Sequence, residues 1–214
     1  GLLRDGTLAR YVDELSVTGL TSNPTIFDHA IGGSTDYDEA IRSASPRRAS
    51  DESLFVALAI EDLRAAAQLF MPAHRASGGV DGWVSLEVSP LLADDARGTI
   101  DEAAKLHAQA ACPNLFVKTP GTAAGVAAIE ASVFAGIPIN VTLLFSRAHY
   151  EAAAGAYMRA IERRIAKGLD PRVHSVASLF VSRWDVAVRD VVPAALRNRL
   201  GIAVAKDTYR AYRR

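Results

Sequence analysis

The sequence predicts an α/β fold in which parallel strands alternate with helices and form a barrel rather than an open sheet. Short apolar runs of strand type alternate along the chain with longer segments of helical periodicity, giving about five β/α units. Each predicted strand is apolar on one face and carries a polar or ionisable side chain on the other, near its C-terminal end. A doubly wound sheet buries both faces and is more continuously apolar, whereas the upper interior of a barrel can be polar.

Composition limits the class of protein. The chain has 214 residues, half of them hydrophobic, which is enough for one large core. The 24 acidic and 24 basic side chains give zero formal charge, so no long-range field favours nucleic acid or a membrane surface. Cys112 is the single cysteine, which excludes an internal disulfide and is typical of a reducing compartment. With no apolar run of about 18 residues and no recognisable signal peptide, we expect a cytoplasmic protein.

The N-terminal part is predicted to contain three helices, a strand and a loop. Residues 2–15 have helical periodicity, and residues 16–24 form a short strand that ends in a polar turn. Pro24 begins the next helix, because its fixed φ suits a first turn. A segment rich in Gly, Ser, Asp and Arg then extends to Asp51, which with Ser53 is expected to cap a helix over 52–70.

The rest of the chain repeats a strand and a helix. Strands are predicted over 82–89, 114–120, 137–145 and 175–183. The helices between and after them are predicted over 94–111, around 126–133, over 146–167, and over 184–214 with a break at Pro193. No repeated sequence and no linker separates these units.

Lys118 is the side chain with the most specific possible use. It lies near the C-terminal end of its strand and shares a face with Phe116, because side chains alternate along a strand. The C-terminal ends of parallel barrel strands carry the active site. Burial in an apolar barrel mouth disfavours the ammonium form, and a neutral amine can attack a carbonyl to form a Schiff base. The alternative is a lysine whose stem covers apolar surface while its head reaches water.

Five motifs follow one another along the predicted strands. They are Thr21-Ser-Asn-Pro-Thr25, Val84-Ser-Leu-Glu-Val-Ser-Pro90, Asn114-Leu-Phe-Val-Lys-Thr-Pro120, Asn140-Val-Thr-Leu-Leu-Phe145 and Ser178-Leu-Phe-Val-Ser-Arg183. In this order they resemble the motifs of bacterial transaldolases, and the resemblance covers almost the whole chain. It implies an aldol transfer without metal or cofactor in the pentose phosphate pathway. A dihydroxyacetone unit would pass from sedoheptulose 7-phosphate or fructose 6-phosphate to an aldose phosphate.

The resemblance also implies roles for individual residues. Lys118 matches the Schiff-base lysine, and Glu87 matches an acid that works with a water held by Thr142. A carboxylate beside a hydroxyl and a water can move the protons that Schiff-base formation needs. Taken alone, Glu87 is a strand carboxylate that requires a partner, and Thr142 is equally consistent with a satisfied core residue.

Further residues are implied to bind the substrate. Asn23, Asn140 and Ser178 match residues that hydrogen-bond the dihydroxyacetone part, and Arg183 matches a phosphate ligand, a role that suits its planar fork of donors. Phe180 stands where related aldolases that release free dihydroxyacetone carry a tyrosine. Taken singly, each of these residues also has an ordinary structural interpretation; an asparagine before a proline, for example, is common turn chemistry.

The chain departs from the family pattern in its number of strands. The family has eight strands, so we expect residues 1–214 to be a single transaldolase-type barrel domain that lacks the first strand and the last two. The first strand should carry an aspartate used at the cleaved bond. An enzyme like fructose-6-phosphate aldolase remains an alternative. The resemblance to such enzymes is weaker at two positions, because they carry a glutamine and a tyrosine where this chain has Glu87 and Phe180. A non-catalytic barrel fragment is a second alternative, and a homodimer is left open.

Other features predict no function. Cys112 has no histidine nearby in a nucleophile or zinc pattern, and the segment from Gly121 to Gly125 is too loose for a phosphate loop. The histidines show no ligand spacing: His29, His74, His107, His149 and His174.

Overall fold

The computed structural model describes residues 2–44 and 50–214, and its strands alternate with helices as predicted. The strands are β1 (Gly19–Thr21), β2 (Trp83–Glu87), β3 (Leu115–Pro120), β4 (Ile139–Leu144) and β5 (Ser175–Leu179). They form one parallel sheet in the order β1-β2-β3-β4-β5. Sequential parallel neighbours joined through helices are the pattern of a (β/α) barrel, so the predicted fold class and its five units are confirmed.

The helices lie between and after these strands. They are α1 (Thr7–Leu15), α2 (Pro24–Gly32), α3 (Asp38–Ala44), α4 (Asp51–Ala76), α5 (Ala96–Ala110), α6 (Ala123–Phe134), α7 (Arg147–Ala166), α8 (Ser182–Val188) and α9 (Leu200–Tyr212). Short 3-10 helices cover Thr35–Tyr37, Pro90–Leu92 and Ala194–Leu196.

The chain forms two compact units, one of residues 1–87 with 105–117, the other of residues 88–104 with 118–214. In the first unit the core contains Leu63, Phe70, Val84 and Leu115, which are fully buried. In the second unit the fully buried side chains of α6 and β4 form the core: Ile129, Val133, Ile139 and Leu144. The outward, apolar faces of the strands therefore supply much of each core.

Two helix starts differ from the prediction for local reasons. Helix α1 begins at Thr7, because Gly6 before it has a left-handed φ of 77° and the Asp5 carboxylate accepts the Thr7 N–H at 2.9 Å. Helix α4 is capped by Ser50 rather than Asp51. The Ser50 hydroxyl oxygen accepts the Ser53 N–H at 3.1 Å, and the Ser53 hydroxyl oxygen accepts the Ser50 N–H at 3.3 Å, a reciprocal capping box.

The predicted last strand was too long at its C-terminal end. Strand β5 ends at Leu179, and α8 begins at Ser182, so Arg183 lies in the first turn of a helix rather than on a strand. The helical region after it is interrupted at Pro193 as predicted, but α9 begins only at Leu200.

Candidate active site

Strand β3 carries Lys118 in a fully buried setting. Every residue of the strand is buried, and only 8% of Lys118 is exposed. The Val88 N–H donates to the Lys118 carbonyl at 3.1 Å, which fixes the backbone that presents the amine. Lysine is almost never this buried without a specific partner or use.

Strand β4 places two polar side chains on one face. Asn140 is 5% exposed and Thr142 only 1%. The Ser178 hydroxyl, on β5, donates to Asn140 Oδ1 at 2.8 Å, so the orientation of this amide is set by its neighbour strand. The structure thus brings together two of the residues that the resemblance placed around the dihydroxyacetone part.

Thr142 presents a buried hydroxyl with unused capacity. Its carbonyl accepts the Gly121 N–H at 2.8 Å, but among the described residues its Oγ1 has no hydrogen-bond partner. Buried hydroxyls in native proteins are nearly always hydrogen-bonded, so this atom is suited to hold a water or a substrate group.

A β-bulge interrupts β4 directly after Thr142. Val141 is paired with Ala177 and Leu144 with Leu179, so two residues of β4 lie opposite the single residue Ser178. The extra residue, Leu143, has a left-handed φ of 57°, a conformation that costs a non-glycine residue about 1–2 kcal/mol. The bulge therefore breaks the regular alternation expected of the strand predicted over 137–145. Bulges of this kind re-aim side chains beside active sites.

Four side chains, two directly after β4 and β5 and two in the first turn of α8, form what we call the aromatic group: Phe145, Phe180, Arg183 and Trp184. The Arg183 guanidinium lies 4.6 Å from the ring centroid of Phe180. The Phe180 ring stacks on Phe145 with centroids 5.3 Å apart, and Trp184 meets Phe145 edge to face at 6.4 Å. The Trp184 indole N–H also donates to the Phe145 carbonyl at 2.7 Å.

A recess of about 480 Å³ adjoins this group. It is lined by Phe145, Ser146, His149, Arg183, Trp184 and Ala187. The recess therefore combines aromatic walls with an arginine. Sequence reasoning missed Phe145 and Trp184 as members of the site. The signal present was position alone, since Phe145 ends the Asn140 motif and Trp184 follows Arg183.

The remaining candidates, Asn23 and Glu87, belong to the other compact unit. Asn23 is the cap of α2, and its Oδ1 accepts the Ile26 N–H at 2.8 Å. Glu87 is the half-buried last residue of β2, on the same face of the strand as Trp83. Trp83 stacks on Phe116 at 4.1 Å, so these two rings lie on one face of the sheet. By alternation Phe116 and Lys118 share a face of β3.

Features without a predicted function have ordinary partners. The Cys112 thiol donates to the Ala110 carbonyl at 3.3 Å, and burial raises its pKa.

Within residues 2–44 and 50–214, no group of three or more His, Cys, Asp and Glu side chains could hold a metal ion. In the same ranges, none of the helices combines the length and apolarity needed to cross a membrane.

Comparison with known proteins places the chain in a family. The transaldolase/fructose-6-phosphate aldolase family matches residues 3–214. A transaldolase of Thiobacillus denitrificans is 44% identical over 219 residues, covering 99% of this chain and 61% of that protein. One from Neisseria meningitidis serogroup A is 40% identical, and one from a Parafrankia strain is 42% identical, each with 59% of its length covered.

The fold and these matches together assign the chain to a fold class and to a protein family. The alternating parallel fold is that of (β/α) barrel proteins, and the chain belongs to the transaldolase/fructose-6-phosphate aldolase family. The chain spans about three-fifths of the length of the curated relatives it matches.

Proposed function

We propose that the protein is a transaldolase that transfers a dihydroxyacetone unit through a Schiff base on Lys118. Sedoheptulose 7-phosphate and glyceraldehyde 3-phosphate would be converted to erythrose 4-phosphate and fructose 6-phosphate. The observation that carries the proposal is Lys118 itself, 8% exposed on a wholly buried strand of a family of aldol enzymes. A buried amine surrounded by little water is suited to attack a carbonyl.

The covalent steps of the proposed transfer need only the two sugar phosphates, Lys118 and water. The Lys118 amine adds to the ketose carbonyl, and loss of water gives a protonated imine. Cleavage of the carbon–carbon bond leaves its electron pair on the dihydroxyacetone carbon as an enamine, and an aldose phosphate departs. The enamine then adds to the acceptor aldehyde, and water releases the new ketose phosphate and the free lysine.

Proton movement in these steps is assigned to Glu87 with Thr142. The buried Oγ1 of Thr142, which has no partner among the described residues, supports this role, because it can hold the water that leaves and returns. A carboxylate acting through such a water serves as both acid and base in successive steps.

Substrate binding is assigned to polar groups at three places. Asn140 and Ser178, already hydrogen-bonded to each other, would hold the hydroxyls of the dihydroxyacetone part. Asn23 would add the N–H donors of its amide, since its oxygen caps α2. Arg183, lying over the Phe180 ring beside the recess, would bind the phosphate.

The remaining properties follow the same family assignment. We propose that the enzyme is cytoplasmic, uses no cofactor or metal, and acts on sugar phosphates. We also propose that residues 1–214 belong to one barrel domain of the family type.

A transfer assay tests the proposal against free cleavage. The protein as its gene encodes it is given fructose 6-phosphate with erythrose 4-phosphate, and sedoheptulose 7-phosphate and free dihydroxyacetone are both measured. We expect transfer to dominate, because Phe180 supplies no phenol to move a proton. The Phe180→Tyr variant should release more dihydroxyacetone per transfer. Release exceeding transfer in the wild type would favour the aldolase alternative.

A further inference from the structure

We infer that Phe145 is a positioning residue for Arg183, and that the β4 bulge exists in part to put it there. The inference rests on the proposed function, in which Arg183 binds the substrate phosphate. Phe145 would act through Arg183 and not on the reacting atoms of the substrate. Its ring supports the Phe180 ring, and the guanidinium lies on that ring.

The bulge decides which β4 side chain reaches Phe180. In an unbroken ladder, with Val141 opposite Ala177, the strand would place Leu144 opposite Phe180. The extra residue at Leu143 shifts the register by one, so that Leu144 faces Leu179 and Phe145 takes the position opposite Phe180. The Phe180 N–H accordingly donates to the Leu144 carbonyl at 2.7 Å.

Phe145 is then held from both sides. Its ring packs between Phe180 and Trp184, and the Trp184 indole donates to its carbonyl at 2.7 Å. Trp184 follows Arg183 in the first turn of α8, so one contact ties the strand end to the helix that carries the arginine. The three rings and the guanidinium therefore form one continuous group of contacts.

Arg183 needs such support because it is exposed. A free arginine side chain populates many rotamers, so forming hydrogen bonds to a phosphate costs conformational entropy. A guanidinium over an aromatic face at an exposed site is favoured by roughly two- to fivefold in population. A ring that is itself anchored therefore favours the guanidinium position beside the recess.

The chain offers a matched control for this arrangement. Arg163 lies 4.2 Å from the ring centroid of Phe134, at the end of α6. The Phe134 ring is half-buried, as is the Phe180 ring beneath Arg183. Phe134 does not line the recess. Replacing it removes a ring beneath an arginine without touching the aromatic group.

The experiment compares Phe145→Leu, Phe145→Met, Phe145→Tyr and Phe134→Leu in the protein as its gene encodes it. Steady-state kinetics are measured with fructose 6-phosphate and with unphosphorylated fructose as donors. We expect KM for fructose 6-phosphate to rise roughly two- to fivefold in Phe145→Leu and Phe145→Met, with kcat within about twofold. Phe145→Tyr should restore the wild-type KM, and the values for fructose should not change.

A binding measurement separates this inference from the proposed function. Calorimetric titration of fructose 6-phosphate into Lys118→Arg, with and without Phe145→Leu, reports phosphate affinity in the absence of chemistry. If the wild type transfers no dihydroxyacetone unit, the proposed function fails, and the titration still tests Phe145. The inference is overturned if Phe145→Leu leaves affinity for the phosphate ester unchanged, weakens fructose equally, or matches Phe134→Leu.

Discussion

Two buried asparagines, Asn114 before β3 and Asn140 in β4, show the same residue type in two different uses. Asn114 is fully buried, and its Nδ2 donates to the carbonyls of Ala67 at 2.9 Å and Gly82 at 2.8 Å. Asn140 is 5% exposed, and its oxygen accepts the hydroxyl of Ser178. The first amide is held by backbone and the second by another side chain.

The difference separates a polar residue that supports the fold from one that, under the proposed function, would bind substrate. Both donors of Asn114 are used by main-chain groups of α4 and of the turn before β2, so the side chain ties three parts of one unit together. Asn140 instead belongs to a polar face with Thr142, whose hydroxyl has no partner among the described residues. Burial alone does not separate the two cases; the identity of the partner does.

The largest expected effect is on stability, from Asn114→Ala. Two buried carbonyls lose their donors, and each unsatisfied group costs about 1–3 kcal/mol, so the free energy of unfolding should fall by roughly 3 kcal/mol. Chemical denaturation measures it. Activity per folded molecule should stay at the wild-type level. A loss below about 1 kcal/mol would show that these bonds do not hold the unit together.

Asn140→Ala should affect catalysis more than folding. Loss of a hydrogen bond to the substrate is expected to lower kcat/KM by roughly ten- to a hundredfold, while denaturation shifts by less than about 1 kcal/mol. Asn140→Asp is the sharper variant, because it still accepts from Ser178 but lacks the amide donors. If Asn140→Asp keeps full activity, the amide donors are not used in substrate binding.

The smallest expected effect in this series comes from Ser178→Ala. Its hydroxyl orients Asn140, and a hydrogen bond of this kind contributes about 0.5–1.5 kcal/mol, so kcat/KM should fall by roughly two- to tenfold. In the Asn140→Ala background the same change should have a smaller effect, because the pair is then already broken. Equal effects in both backgrounds would mean that the two residues act independently.

Much of the fold could be predicted because its signals are local. Alternation in the strands and helical periodicity between them placed all five strands, and the face that carries Lys118 followed from period two. Helix caps were harder: Ser50 and Asp51 are both good cap residues, and the reciprocal bond with Ser53 decides between them.

The parts of the site that escaped prediction depend on contacts between distant residues. No glycine marks the bulge, since Leu143 itself adopts the left-handed conformation, so the face that Phe145 occupies could not be read from period two. The end of β5 was likewise placed too late, because the strand pattern continued into the start of α8. The pairing of β4 with β5 determines both the bulge and the end of β5. This pairing cannot be read from the sequence of either strand alone.

Trapping the covalent intermediate tests the central claim most directly. Borohydride added to the protein as its gene encodes it, together with fructose 6-phosphate, should reduce the imine and leave a stable sugar adduct. Peptide mass mapping should place that adduct on Lys118. The Lys118→Arg variant should fold but form no adduct and show no transfer, because a guanidinium stays protonated. An adduct on another lysine, such as Lys105 or Lys167, or turnover by Lys118→Arg, would contradict the account.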